Sequence, residues 1–141
     1  MDTFACLPAV DRETYFREAA ARMGLPPHVI EKDFWVCWTL KRLFSLQCVK
    51  ENLLFKGGTS LSKVYRLIRR FSEDIDISIR RDSLGFGGER DPANPELSGK
   101  AQVRQKEALA EAAKLKIAQE MLPELQTDDC GSGTRTRVDA D

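Results

Sequence analysis

Histidine is nearly absent from this chain, with one, His28, in 141 residues. The four cysteines (Cys6, Cys37, Cys48, Cys130) show neither a CxxC pair nor zinc-ligand spacing, which argues against a zinc site. They read as reduced cytosolic thiols. No apolar run approaches the roughly 20 residues that a membrane-spanning helix needs. The opening residues, MDTFACLPAVDRE, have no basic segment followed by an apolar core, so no secretory signal is read and the expected location is cytoplasmic. Net charge is missing too, since 22 Lys and Arg balance 22 Asp and Glu. That excludes a uniformly basic nucleic-acid coat protein and an acidic tail protein. What remains is 42% hydrophobic and 31% charged, enough to bury a core in about one domain.

The neutral total hides a gradient. Residues 1–72 carry 12 Lys or Arg against 7 Asp or Glu, whereas residues 73–141 carry 10 against 15. Between Asn52 and Ser72 there is no acid, but there are Lys56, Lys63, Arg66, Arg69 and Arg70. Glu73, Asp74 and Asp76 follow at once. A basic stretch beside a tight acidic group suits a polyanion and its neutralising metal. Charge alone fits a solvated basic helix followed by a charged turn better.

Periodicity supplies the elements. Asp11 to Met23 reads as a helix capped by Asp11 and stopped by Gly24, with Tyr15, Phe16, Ala19, Ala20 and Met23 at helical spacing. Pro26 and Pro27 open a second helix from about His28 to Phe44, striped by Phe34, Trp35 and Trp38. The two form a helical hairpin. Its second helix offers aromatics for packing rather than polar side chains for reading bases. Asn52 to Lys56 reads as a buried strand, Leu61 to Arg70 as a helix, and Asp74 to Ile79 as a strand. In that last strand Asp74, Asp76 and Ser78 share one face, and Ile75, Ile77 and Ile79 the other. Asp82 to Gly99 reads as loop, Lys100 to Leu122 as a long helix, and residues 123–141 as a polar tail beyond a domain of residues 1–122.

The chemistry is concentrated in FKGGTSLSKVYRLIRRFSEDIDIS, which begins at Phe55 and ends at Ser78. A strand delivers Gly57 and Gly58 to a tight turn, and Thr59 and Ser60 lead into a helix. Glycines at such a turn let a phosphate approach the backbone, and the helix start aims free N–H groups at it. The next strand points the Asp74 and Asp76 carboxylates the same way, where they repel unless a cation lies between them. Mg²⁺ held by one or two carboxylates plus substrate phosphates is the usual solution. Either piece alone is a weak signal, but their combination is far more specific. The order is neither that of a Walker A loop nor that of a dinucleotide fingerprint.

These residues resemble the first motif of the nucleotidyltransferase superfamily related to DNA polymerase β, in the form found in the AbiEii/AbiGii toxins. EKDFWV (Glu31 to Val36) and LGFGG (Leu84 to Gly88) are similar to that family as well, and the likeness runs over about residues 12–122. It implies an α+β fold, with a nucleotidyltransferase-like mixed sheet flanked by helices and preceded by the helical hairpin. It implies NTP as substrate with Mg²⁺ (or Mn²⁺), and the role of toxin in a bacterial toxin–antitoxin or abortive-infection system. An RNA acceptor, in related toxins tRNA, and a cognate antitoxin are the implied partners. Carried onto this chain, Gly57 and Gly58 shape the phosphate turn, and Ser60 or Thr59 bonds a phosphate oxygen. Asp74 and Asp76 are the catalytic metal ligands, and Lys63 and Arg70 lean toward the triphosphate or RNA backbone. The family draws a third acid and a lysine from later strands. Glu89, Asp91, Asp128 and Asp139 match no such motif, so the chain reads as an N-terminal part with an incomplete sheet.

Two other functions compete. One is a catalytically impaired fragment that only binds nucleotide or antitoxin. The other is a housekeeping nucleotide-transfer enzyme built on the same motif. Phe34, Trp35 and Trp38 read as core rather than as stacking platforms for bases, and His28 and Glu31 as structural residues.

Overall fold

The computed structural model describes residues 1–57 and 74–127. Its elements are α1 (Asp2–Ala5), α2 (Ala9–Met23), α3 (Pro27–Leu43), β1 (Leu53–Lys56), β2 (Asp76–Ile79), α4 (Gly99–Lys116) and α5 (Leu122–Thr127). Two 3-10 turns, Asp82–Leu84 and Gly88–Arg90, interrupt the expected loop. A π-helical turn, Ile117–Met121, joins α4 to α5. The α+β class is borne out. Among the described residues the sheet is one antiparallel pair, β1 with β2, without the parallel strands of a mixed sheet. The expected helix Leu61–Arg70 lies outside the described residues.

The helical hairpin forms, with one correction at its start. Asp11 is not the cap of α2. Pro8 is, because its restricted φ of −54° sets the extended entry and its carbonyl accepts from the Asp11 and Arg12 amides, both at 3.1 Å. Asp11 lies instead in the first turn, where a carboxylate favours the helix dipole. Gly24, at φ +66°, ends α2, and the Gly24 and Leu25 amides both donate to the Ala20 carbonyl. Pro27 opens α3 at a position where no intrahelical N–H is needed.

The hairpin closes over aromatic rings. Phe4 meets Phe34 at 4.8 Å and Phe16 at 5.4 Å between ring centroids, both edge to face. Trp35 meets Trp38 at 5.6 Å, and the guanidinium of Arg12 stands over Trp35 and that of Arg42 over Trp38. Each edge-to-face pair adds about 0.5–1.5 kcal/mol beyond its buried area. These faces are occupied by neighbours, but Phe34, Trp35 and Trp38 are half-buried rather than core. Asp2 accepts from Trp38 Nε1 at 3.1 Å and pairs with Lys41. The Lys41 hydrogen bond and charge, with help from Trp38, hold the Asp2 carboxyl below its usual range.

The second core lies under the sheet. Leu43, Leu46, Val49, Leu53 and Met121 are buried together, and Ile75, Ile77, Ile79 and Leu125 pack against them. Leu46 and Val49 sit in the turn between α3 and β1, which the sequence pattern leaves unassigned. The helical path does not end at Leu122. It continues through Pro123 to Thr127, past the expected start of the polar tail. The wider π turn makes room for the Pro123 ring, which in a regular helix clashes with the carbonyl four residues back. Glu124 then caps the chain after α3, accepting from the Gln47 and Cys48 amides at 2.6 and 3.2 Å. Arg42 Nη2 donates to the Leu125 carbonyl at 2.5 Å. Cys37 and Cys48 are free thiols as expected, but Cys6 is disulfide-bonded, against the expectation of four reduced thiols.

Candidate functional site

The site is built where β1 ends. The register pairs Leu53 with Ile79, Leu54 with Ser78, Phe55 with Ile77 and Lys56 with Asp76. Residues opposite one another in an antiparallel pair share a face. The face of Leu53 and Ile79 turns to the aliphatic core, which leaves Leu54, Lys56, Asp76 and Ser78 on the other. The expected alternation therefore holds within β2. The strand itself is shorter than expected, running from Asp76 rather than Asp74. Lys56 is the last residue of β1 and is opposite Asp76, so Asp74 and Ile75 have no rung of β1 to pair with.

Gly57 follows with φ +74°, a left-handed conformation that disfavours side chains. Space excludes one as well. A Cβ at residue 57 would stand 1.9 Å from Asp76 Oδ2 and 2.8 Å from Asp76 Cγ. The carboxylate of β2 thus lies directly against the glycine backbone at the end of β1. Asp74 and Asp76 are both exposed, while Ile75 and Ile77 reach inward to the core. Of the residues expected at the site, Gly57, Asp74 and Asp76 are described, and the structure brings Gly57 and Asp76 together. Gly58, Thr59, Ser60, Lys63 and Arg70 lie outside the described residues.

Sequence reasoning assigned no site role to Lys56, although it shares the Asp76 face and immediately precedes the glycine pair. Its position in FKGGT was the available signal. Arg80 and Arg81, directly after β2, were also passed over. Each is held by an acid: Arg80 Nη2 meets Asp82 Oδ2 at 3.0 Å, and Arg81 Nη1 meets Asp91 Oδ1 at 2.7 Å. The pairing lowers the Asp82 carboxyl and raises the Arg80 guanidinium relative to their ordinary values. LGFGG serves as structure: Phe86 is 4% exposed, and Arg90 stands 4.8 Å over its ring.

Among the described residues, no group of three or more His, Cys, Asp and Glu stands together as a metal cage. The donors present are hard carboxylate oxygens, one of them pressed to a backbone with no side chain in the way. That donor set suits a divalent cation whose remaining ligands are substrate oxygens and water.

A left-handed glycine thus ends β1, and a carboxylate of the neighbouring strand lies against it. The family model described as Nucleotidyl transferase AbiEii toxin, Type IV TA system, matches residues 38–137, and the chain belongs to that family. The family is one of nucleotidyltransferase toxins of type IV toxin–antitoxin systems. The match contains Gly57, Gly58, Asp74 and Asp76, whereas Glu31 to Val36 precede it. No curated protein and no solved structure matches the chain. Among the described residues, no helix is long and apolar enough to cross a membrane.

Proposed function

We propose that this protein transfers a nucleotidyl group from an NTP to an RNA acceptor, tRNA in particular, as a toxin countered by a cognate antitoxin in the bacterial cytoplasm. The observation that carries the reading is the Asp76 carboxylate lying against Gly57, inside the segment that the family match covers. In this reading Gly57 and Gly58 admit the triphosphate to the backbone, and Thr59 and Ser60 donate to its oxygens. Lys63 and Arg70 counter its charge. Asp74 and Asp76 hold Mg²⁺ or Mn²⁺, which when bound neutralises phosphate charge and lowers the barrier to displacement at phosphorus. The residues orient the α-phosphorus for in-line attack. The acceptor hydroxyl oxygen bonds to that phosphorus as the bond to pyrophosphate breaks, and the hydroxyl proton passes to solvent. Positioning and charge neutralisation supply most of the rate.

The test is transfer of label from each NTP to purified tRNA in the presence of Mg²⁺. Asp76→Asn is expected to lower transfer by on the order of 100-fold or more without moving the melting temperature by more than a few degrees. An active Asp76→Asn variant rejects the assignment. A wild-type chain that transfers nothing, yet loses Mg²⁺-dependent NTP binding through Asp76→Asn, establishes binding without turnover instead.

A further inference from the structure

The last rung of the strand pair sets a base beside an acid. Lys56, at the end of β1, stands opposite Asp76, at the start of β2. The Cα atoms of such partners are about 4.5–5.5 Å apart, and their side chains leave the same face. A lysine's four-carbon stem is long enough to cross that rung. Both residues are exposed, yet among the described residues no ion pair joins them or engages either one. The carboxylate lies against Gly57 instead, with Oδ2 in the space that a side chain there would fill. Arg80 and Arg81, just past β2, are already answered by Asp82 and Asp91. Lys56 is therefore the one positive charge within β1 and β2, and it is uncommitted.

A triphosphate brought to Asp76 gives that charge a use. It carries more negative charge than one divalent cation balances, and the excess lies on the two outer phosphates. The excess grows during transfer. As the bond from the α-phosphorus to its bridging oxygen breaks, the electron pair stays on that oxygen and leaves with pyrophosphate. A cation fixed where this charge develops lowers the barrier. Lysine supplies a point charge on a flexible stem, which can follow a departing group. We propose that Lys56 is a substrate-contacting residue that binds the pyrophosphate portion of the NTP and stabilises it as it leaves, its ammonium donating hydrogen bonds and keeping its proton. The proposal rests on the nucleotidyl-transfer reading for the reaction, but the binding of pyrophosphate does not require turnover.

The experiment follows from that independence. Inorganic pyrophosphate, each NTP and each nucleoside monophosphate are titrated calorimetrically into the full chain with Mg²⁺, and label transfer is measured in parallel. Lys56→Met keeps the apolar stem and removes the charge. It is expected to weaken pyrophosphate and NTP binding by about tenfold, the share of one charged contact. Monophosphate binding is expected to stay unchanged, and the melting temperature to move by no more than a few degrees. In label transfer, kcat should fall by about tenfold as well, because the contact strengthens as the leaving group departs. Lys56→Arg is expected to restore binding and kcat. Lys114→Met is the surface control, because Lys114 pairs with Glu111 on α4. It is expected to behave as the wild type does. The proposal is overturned if wild type binds neither pyrophosphate nor NTP, or if Lys56→Met binds both as tightly as wild type. An equal loss of monophosphate binding, or an equal loss in Lys114→Met, overturns it too. Weakened pyrophosphate binding in Lys56→Met beside a wild type that transfers no label rejects the transfer reading alone. Label transfer by Lys56→Met with wild-type kcat and KM rejects the Lys56 contact alone.

Discussion

Gly57 and Gly24 are both left-handed glycines, and their surroundings separate two reasons for having no side chain. Around Gly24 an added methyl would meet nothing within 4 Å. Gly24→Ala should therefore cost only backbone strain, about 1 kcal/mol, read in a urea melt, with transfer unaffected. At Gly57 the same strain is joined by a collision with the Asp76 carboxylate 1.9 Å away. A carboxyl end can swing aside, so Gly57→Ala should fold, with a melting temperature a few degrees lower. Its carboxylate would be displaced, and Mg²⁺-dependent NTP binding should fall by on the order of tenfold. Equal functional losses in the two variants would show that the Asp76 contact is not what Gly57 is for. Gly57 was legible in the sequence as a position at the end of a strand that favours glycine. That the first glycine also makes room for a carboxylate was not, because the contact depends on the register of β2, nineteen residues later.

Among the elements, the joint between α5 and the turn after α3 was the least legible. Glu124 looked like the second residue of a polar tail, yet it satisfies two amides in a turn more than seventy residues earlier. The Cys48 thiol and the Gln47 and Cys48 amides all favour its charged form, so its carboxyl sits below the ordinary 4.5. Burial, reinforced by Glu124, pushes the Cys48 thiol from 9.0 up to about 11. The signs give two pH windows. Glu124 contributes stability that is complete above its ordinary value and is lost as pH falls through the lowered folded-state value. Cys48 contributes stability that is complete below pH 9 and is lost as pH rises toward 11. Melting temperature against pH should thus fall at both ends. Glu124→Gln should flatten the acid limb, and Cys48→Ala the alkaline one. An acid limb as steep in Glu124→Gln as in wild type would refute the joint.

The molecule as a whole has two apolar centres: aromatic rings inside the helical hairpin, and aliphatic side chains under the β1–β2 pair. Leu46, 2% exposed, belongs to the second and connects the end of α3 to the sheet. Leu46→Ala should cost about 2–5 kcal/mol by denaturant unfolding, the range for a buried leucine whose cavity does not collapse. Because that core also seats Ile75 and Ile77 on either side of Asp76, transfer activity should fall as the variant begins to melt and not before. A destabilisation below about 1 kcal/mol would mean that Leu46 is not part of the continuous core.

Local chemistry settled much from the amino-acid order alone. Gly24 marked the end of α2 and Pro27 the start of α3, a period of two identified β2, and FKGGTSLSKV with RFSEDIDIS carried the resemblance to the family. Each of these signals acts within a few residues, through backbone sterics or the direction of successive side chains. Tertiary structure alone decided that Asp76 lies on Gly57, that Lys56 stands opposite it, that Leu46 and Val49 are core, and that Glu124 caps Gln47 and Cys48. Those are contacts between segments far apart in the chain. They follow from strand register and from which faces shed water together, and no local pattern encodes either.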